Sequence, residues 1–194
     1  MRLLPKKLEN PALTYYVITG GLGVGKTTLL NELSSRGFKT VPEDARRIIK
    51  EQMKIGGDGL PWENKALYAQ LMFDASLASY QRVAREMTSH IVFFDRGILD
   101  TICYMEMENI PVSEELNKRT KGNPYAQKVF ILPPWEEIYE LDNERKQTWE
   151  EAVYTFDKMK HTYLHYGYEV VEVPKDTIEN RGRFISDIVI SNLL

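Results

Sequence analysis

Apolar positions along this chain switch repeatedly between short continuous runs and helical spacing. Runs of β-branched and aromatic residues at Thr14 to Thr19, Phe38 to Val41, His90 to Phe94, Lys128 to Leu132 and Glu169 to Val173 predict five strands. Between them, Leu29, Leu30 and Leu33 recur at helical spacing after Lys26, and a second helix starts near Asp44. Ala66, Tyr68, Leu71, Met72, Ala75, Ala78 and Val83 give a long helix from Glu63 to Met87 a broad apolar face, and Ile98 to Met107 forms another helix. Gly37 and Gly167 read as helix stops, IGGDGLPW from Ile55 to Trp62 as a loop, and the polar stretch from Pro111 to Ala126 as a mobile connection. Pro133 and Pro134 end the fourth strand, and Trp135 to Leu141 can make a short helix. Thr148 with Glu151 is a capping box for a helix to about His165, and Asp176 with Glu179 caps a last helix to Leu193. Such alternation implies a parallel sheet covered by helices on both faces, with ligands at the carboxyl ends of the strands.

Length and composition narrow the class. The 194 residues, 43% of them apolar, suit one filled core, so residues 14–194 read as one domain behind a 1–13 N-terminal extension. A formal charge of -3 and a pI near 5.7 argue against a nucleic-acid surface, which leaves a basic footprint, and favour small-molecule partners. Cys103 is the only cysteine, which excludes an intramolecular disulfide and points to a reducing compartment. No signal-peptide core or stretch of about 18 apolar residues occurs, so a cytoplasmic protein without a membrane span is expected. Oligomeric state is not legible.

The chemistry concentrates in YVITGGLGVGKTTLL, where Gly20, Gly25, Lys26 and Thr27 stand at GxxxxGK[ST] spacing. Glycines let successive backbone N–H groups face one anion, the lysine reaches β/γ-phosphates, and the threonine hydroxyl can ligate Mg²⁺. Gly20, Gly21, Leu22, Gly23, Val24, Gly25, Lys26, Thr27 and Thr28 are therefore the expected nucleotide contacts. The loop lies between a predicted strand and a predicted helix, whose positive dipole end faces the phosphates.

Further candidates stand just beyond other strands. Asp95 can organise Mg²⁺ together with Thr27, and Arg96 can grip a substrate or phosphate, while Asp100, one helical turn on, pairs with Arg96 and orients it. In VPEDARRII, Glu43 could accept the proton of an attacking hydroxyl and Arg46 could steady phosphate or substrate oxygens. The plainer reading makes Glu43 a helix-end acid, Asp44 the cap and Arg47 surface. Arg145 and Lys146 could deliver positive charge to the transferring phosphoryl group from a hinged loop, or belong to a solvated charged face. Lys118 to Lys121 reads as an exposed loop. Trp62, Tyr68 and Gln70 could line a pocket for a flat ring, or, for the aromatic pair, the core.

GGLGVGKTTLL, VPEDARRII, VFFDRGILDTICY, VFILPPWEEIYELDNERKQTWEEA and YLHYGYEVVEVP together resemble a small predicted-ATPase family named for an AAA domain, over about Tyr15 to Leu194. That family resembles P-loop nucleoside and nucleotide kinases, including the ribosylnicotinamide kinase domain of the bacterial NAD regulator. The resemblance implies a five-stranded parallel sheet in the order 2-3-1-4-5, and places Arg145 in a lid. A DxxG switch and an [NT]KxD guanine motif are missing, since Arg96-Gly97-Ile98 follows Asp95 and neither Asn64-Lys65 nor Asn117-Lys118 has its aspartate. The AAA+ motor pattern fails because Arg96, not a second acid, follows Asp95. The expected activity is phosphoryl transfer from ATP, with GTP as an alternative donor, to a small nucleoside- or nucleotide-like acceptor. A nucleotide-dependent binding or regulatory module is the other reading.

Overall fold

The structure, a computed structural model, describes residues 14–86, 91–138 and 148–191. Its strands are β1 (Thr14–Gly20), β2 (Lys39–Val41), β3 (Ile91–Asp95), β4 (Lys128–Leu132) and β5 (Glu169–Glu172). They form one parallel sheet in the order β2-β3-β1-β4-β5, as expected. The helices are α1 (Lys26–Ser35), α2 (Ala45–Ile55), α3 (Lys65–Glu86), α4 (Ile98–Met107), α5 (Glu114–Lys121), α6 (Trp149–His165) and α7 (Ile178–Ser191).

The period of two within each strand explains the layering, because successive side chains leave opposite faces. Tyr16, Ile18, Phe93, Phe130 and Leu132 meet Leu29, Leu30 and Leu33 of α1 and Ile185 and Val189 of α7. Tyr15, Val17, Val92, Phe94 and Val129 meet Phe73 and Leu77 of α3, Ile98 and Ile102 of α4, and Tyr163 of α6. Val17, Ile18, Phe93 and Phe130 are fully buried, each contributing roughly 1.5–3 kcal/mol. With both faces covered, these strands have no polar side to alternate with.

Register brings the strand exits together. Ile18 lies beside Asp95 on one side and Phe130 on the other, Gly20 beside Leu132, and Val41 beside Phe94. The turns after β1, β2, β3 and β4 therefore open on one edge of the sheet.

Two local expectations are corrected. The connection from Pro111 to Ala126 contains α5, started by Ser113, whose Oγ accepts from Leu116 N at 3.2 Å, so Lys118 to Lys121 forms a last helical turn rather than a loop. Its buried side consists of only Leu116 and Thr120, too few to register as a stripe. At α7, Thr177 Oγ1 accepts from Asn180 N at 3.3 Å, and Asp176 instead accepts from Thr177 N at 2.6 Å and Asn180 Nδ2 at 3.0 Å. The expected pairing of Asp176 with Glu179 is replaced by that turn. The 1–13 extension, His90 and residues 139–147, with Arg145 and Lys146, lie outside the described residues.

Candidate active site

The glycine-rich loop joins β1 to α1 and is built by backbone requirements. At Gly20 φ is +144°, and a Cβ would stand 2.8 Å from Leu132 O, so no larger residue fits. Gly25 takes φ +82° to turn the chain into α1. Lys26 Nζ folds back over the loop and donates to Gly20 O at 3.1 Å and Gly21 O at 2.9 Å. Thr27 and Thr28 are exposed on the first turn of α1, Leu22 stands half out of the surface, and Val24 is buried. The unpaired amides and positive dipole end of α1 make this a seat for an anion.

Lys26 keeps some solvent access, yet it sits in a depression that disfavours its charge. Burial, helped by the nearby Arg96 cation, pulls its pKa from 10.5 down to about 8, against the smaller opposing pull of Asp95, Glu43 and Asp100. All five side chains thus act on one another across the same edge of the sheet.

Arg96 organises that edge. It is a non-glycine residue at φ +68°, and its N–H donates to Ile18 O at 3.0 Å, which pins the strained turn to β1. Its Nη1 donates to Asp100 Oδ1 at 3.2 Å. Its Nε lies 2.7 Å from Glu43 Oε1, but the N–H is not aligned on that oxygen, so the contact is ionic rather than a hydrogen bond. Burial works against the Arg96 charge, but Glu43, Asp100 and Asp95 outweigh it and hold the pKa above the ordinary arginine value. Asp100, 4% exposed, also accepts from Gly97 N at 2.7 Å, Tyr163 Oη at 2.6 Å and the Thr19 hydroxyl. One buried carboxylate therefore ties β1, the turn after β3, and α6. It does pair with Arg96, and its wider reach was not legible because Thr19 and Tyr163 are 81 and 63 residues away in sequence.

Asp95 differs from Asp100 in having an oxygen to spare. Its buried Oδ1 has no hydrogen-bond partner among the described residues, and burial raises its pKa. Among the described residues no three His, Cys, Asp or Glu side chains cluster as a metal cage. An oxygen-seeking Mg²⁺ shared with phosphates needs less protein, and the free Asp95 oxygen with the Thr27 hydroxyl fits that donor chemistry.

Beside these groups a crevice of about 20 Å³, room for one water, is lined by Glu43, Asp44, Met72, Ser76, Ser79, Asp95, Arg96 and Tyr125. The α3 serines and Tyr125 gave no signal in sequence, since isolated hydroxyls on apolar helices are ordinary. Asp44 occupies the cap position of α2 but accepts from Ser79 Oγ and Arg47 Nη2, both at 2.8 Å, instead of capping the backbone. Arg46 is exposed and outside the crevice lining. Trp62 is 64% exposed, Tyr68 is buried edge-on against Tyr104, and Gln70 donates to Asp74 at 2.8 Å, so none of the three lines it. Cys103 is buried, and burial pushes its thiol up to about 12, which leaves it unreactive.

A five-stranded parallel sheet in this order, with a glycine-lysine loop at its first strand exit, defines a P-loop α/β protein of the kinase-like kind. The chain belongs to the family described as "AAA domain", whose model matches residues 15–181. No curated protein sequence matches it significantly. Among solved structures it resembles the NadR protein in complex with NR, with a TM-score of 0.72 and 23% identity over 92% of this chain and 51% of that one. NadR in complex with NAD and AMP-PNP gives a TM-score of 0.63 and 18% identity over 91% and 48%. The chain thus spans about half the length of the NadR chains. Thymidylate kinase from Ehrlichia chaffeensis matches with a TM-score of 0.61 and 16% identity over 93% of this chain and all of its own. Shikimate kinase from Acinetobacter baumannii, in complex with shikimate, matches with a TM-score of 0.54 and 14% identity over 94% and 96%. At these identities the likeness establishes the fold. No helix among the described residues is long and apolar enough to cross a membrane.

Proposed function

We propose that this protein transfers the γ-phosphoryl group of ATP, with Mg²⁺, to a hydroxyl of a small nucleoside- or nucleotide-like acceptor. The observation that carries the reading is the convergence, at one sheet edge, of Lys26 on the glycine loop, the unsatisfied Asp95 and the Glu43–Arg96 pair at a crevice. The ligands named for NadR (NR, AMP-PNP) and the name of thymidylate kinase favour ATP and a nucleoside-like acceptor over other choices.

In this reading residues Gly20 to Thr28 cradle the phosphates, and Lys26 leaves its carbonyl partners for the β/γ-oxygens. Asp95 and Thr27 would hold Mg²⁺, which would supply charge neutralisation at the phosphates. Arg96 swings between Glu43 and acceptor oxygens, freeing Glu43 to take the hydroxyl proton as the oxygen attacks in line. Arg46, exposed outside the crevice, would have to turn towards the acceptor to steady it, and Arg145, assigned by resemblance, would add charge over the transferring group.

The narrowness of the crevice favours the second reading, a nucleotide-dependent regulatory module, because the Glu43–Arg96 contact leaves room for only a water. One experiment separates the two. ATP turnover is measured against a panel of nucleosides, nucleotides and other hydroxyl metabolites, with product mass recorded, for the wild type and Glu43→Gln. The kinase reading expects one acceptor to gain about 80 Da, the mass of a phosphoryl group, and Glu43→Gln to lower kcat roughly 10²-fold, near the lower end for general-base loss, at unchanged ATP affinity. ATP binding without any phosphorylated acceptor would hand the site to the regulatory reading.

A further inference from the structure

Arg181, in the first turn of α7, is a charged residue that neither the sequence motif nor the mechanism above uses. It is 4% exposed, and among the described residues no carboxylate lies within ion-pair distance of it. Its guanidinium stands over the Trp135 ring at 5.7 Å, its Nη2 donates to Val24 O at 3.1 Å, and its buried Nε has no partner among the described residues. Nη1 closes over the same turn, 3.1 Å from where a Gly25 Cβ would be. Burial lowers its pKa.

A buried guanidinium with no counter-charge among the described residues is costly, and the ring face of Trp135 offsets only part of that cost. Its position suggests where a bound negative charge would be favoured. In a trans peptide the carbonyl and the following N–H point in opposite directions. Fixing Val24 O towards α7 therefore turns the Gly25 N–H away from α7, and in the cradle reading that amide faces the anion. The anion that the loop is shaped to hold would lie beyond that amide, within reach of the Arg181 field through a low-dielectric wall.

We infer that Arg181 is a positioning residue of the phosphate cradle: it locks the Val24–Gly25 peptide with its amide facing the oligophosphate, and its buried positive charge adds to the attraction. The inference rests on the cradle reading of the loop and is independent of the acceptor. It also gives the Pro133-Pro134-Trp135 segment a role, since Trp135 forms the ring wall that holds the guanidinium in place.

The test is calorimetric binding of Mg-ATP and of inorganic tripolyphosphate to the wild type, Arg181→Met and Arg181→Lys across a range of KCl concentrations, beside the unfolding temperature of each. Arg181→Met should weaken both probes roughly 3- to 10-fold, the range of one hydrogen bond, and flatten the salt dependence. Arg181→Lys, which keeps the charge, should recover the salt dependence and part of the affinity. Arg181→Met binding both probes as the wild type does, with only its unfolding temperature lowered, would overturn the inference and leave Arg181 a packing residue. Wild-type protein that binds neither probe would remove the cradle reading itself, a result distinguishable from the first.

Discussion

At Asp95 stability and chemistry pull in opposite directions. Burial raises its pKa, so the folded protein holds the proton to a higher pH than the unfolded chain does, and the ionised form is a burden on the fold. Its contribution therefore falls as pH rises from the ordinary aspartate value of 3.8 through the raised folded value. Asp95→Asn should leave the free protein at least as stable at pH 7 in thermal unfolding, while Mg²⁺-dependent turnover is lost and metal-free nucleotide binding survives. A clearly lowered unfolding temperature would instead make Asp95 structural. Lys26 carries the complementary pH signature. With its pKa lowered to about 8, the unfolded chain binds the extra proton from there up to 10.5, so stability gains as pH rises across that window. A bound triphosphate reverses the preference by favouring the ammonium form. Nucleotide binding at pH 8 should then take up as much as about half a proton per site, and far less at pH 6.5. Calorimetry in buffers of different ionisation enthalpy reads this directly, and the uptake should vanish in Lys26→Met.

Elements differ in how openly they announce themselves. The α6 start was legible because Thr148 and Glu151 reciprocate, with Thr148 N donating to Glu151 Oε2 at 2.7 Å and Glu151 N to Thr148 Oγ1 at 3.2 Å. The α5 segment escaped notice because EELNKRTK hides two buried residues among charges, and its fate depends on the surface it lies against. What ties it down is Ser113 at its N-cap and Leu116 beneath it. Ser113→Ala should cost about 1 kcal/mol in urea-induced unfolding, without altering nucleotide binding, since α5 lies away from the loop edge of the sheet. A neutral Ser113→Ala would mean that packing, not the cap, holds the helix. Asp176 shows the opposite lesson: a pattern that fits a capping box was resolved in favour of the neighbouring Thr177, because one residue of slippage lets Asp176 bond Asn180 as well.

Across the whole molecule, the parallel sheet gathers residues from four strand exits onto one edge, and the hydrophobic layers on both faces make that edge rigid. Sequence by itself determined the strand and helix alternation, the glycine loop and the strand-end positions of Glu43, Asp95 and Arg96. These are written in local spacing: the period of apolar residues, glycine placement and strand-ending acids depend on neighbours a few residues away. Tertiary structure alone decided that Arg96 would turn to both Glu43 and Asp100, that Asp100 would receive Thr19 and Tyr163, and that Asp95 would keep an oxygen unpaired among the described residues. It also brought Arg181 from the last helix to the back of the phosphate loop, 157 residues from its Val24 partner. The physical reason is that hydrogen bonds and ion pairs act over a few ångströms whatever the separation along the chain. Which charges meet, and which are left unbalanced, is therefore fixed only once the sheet has set its strand order and register.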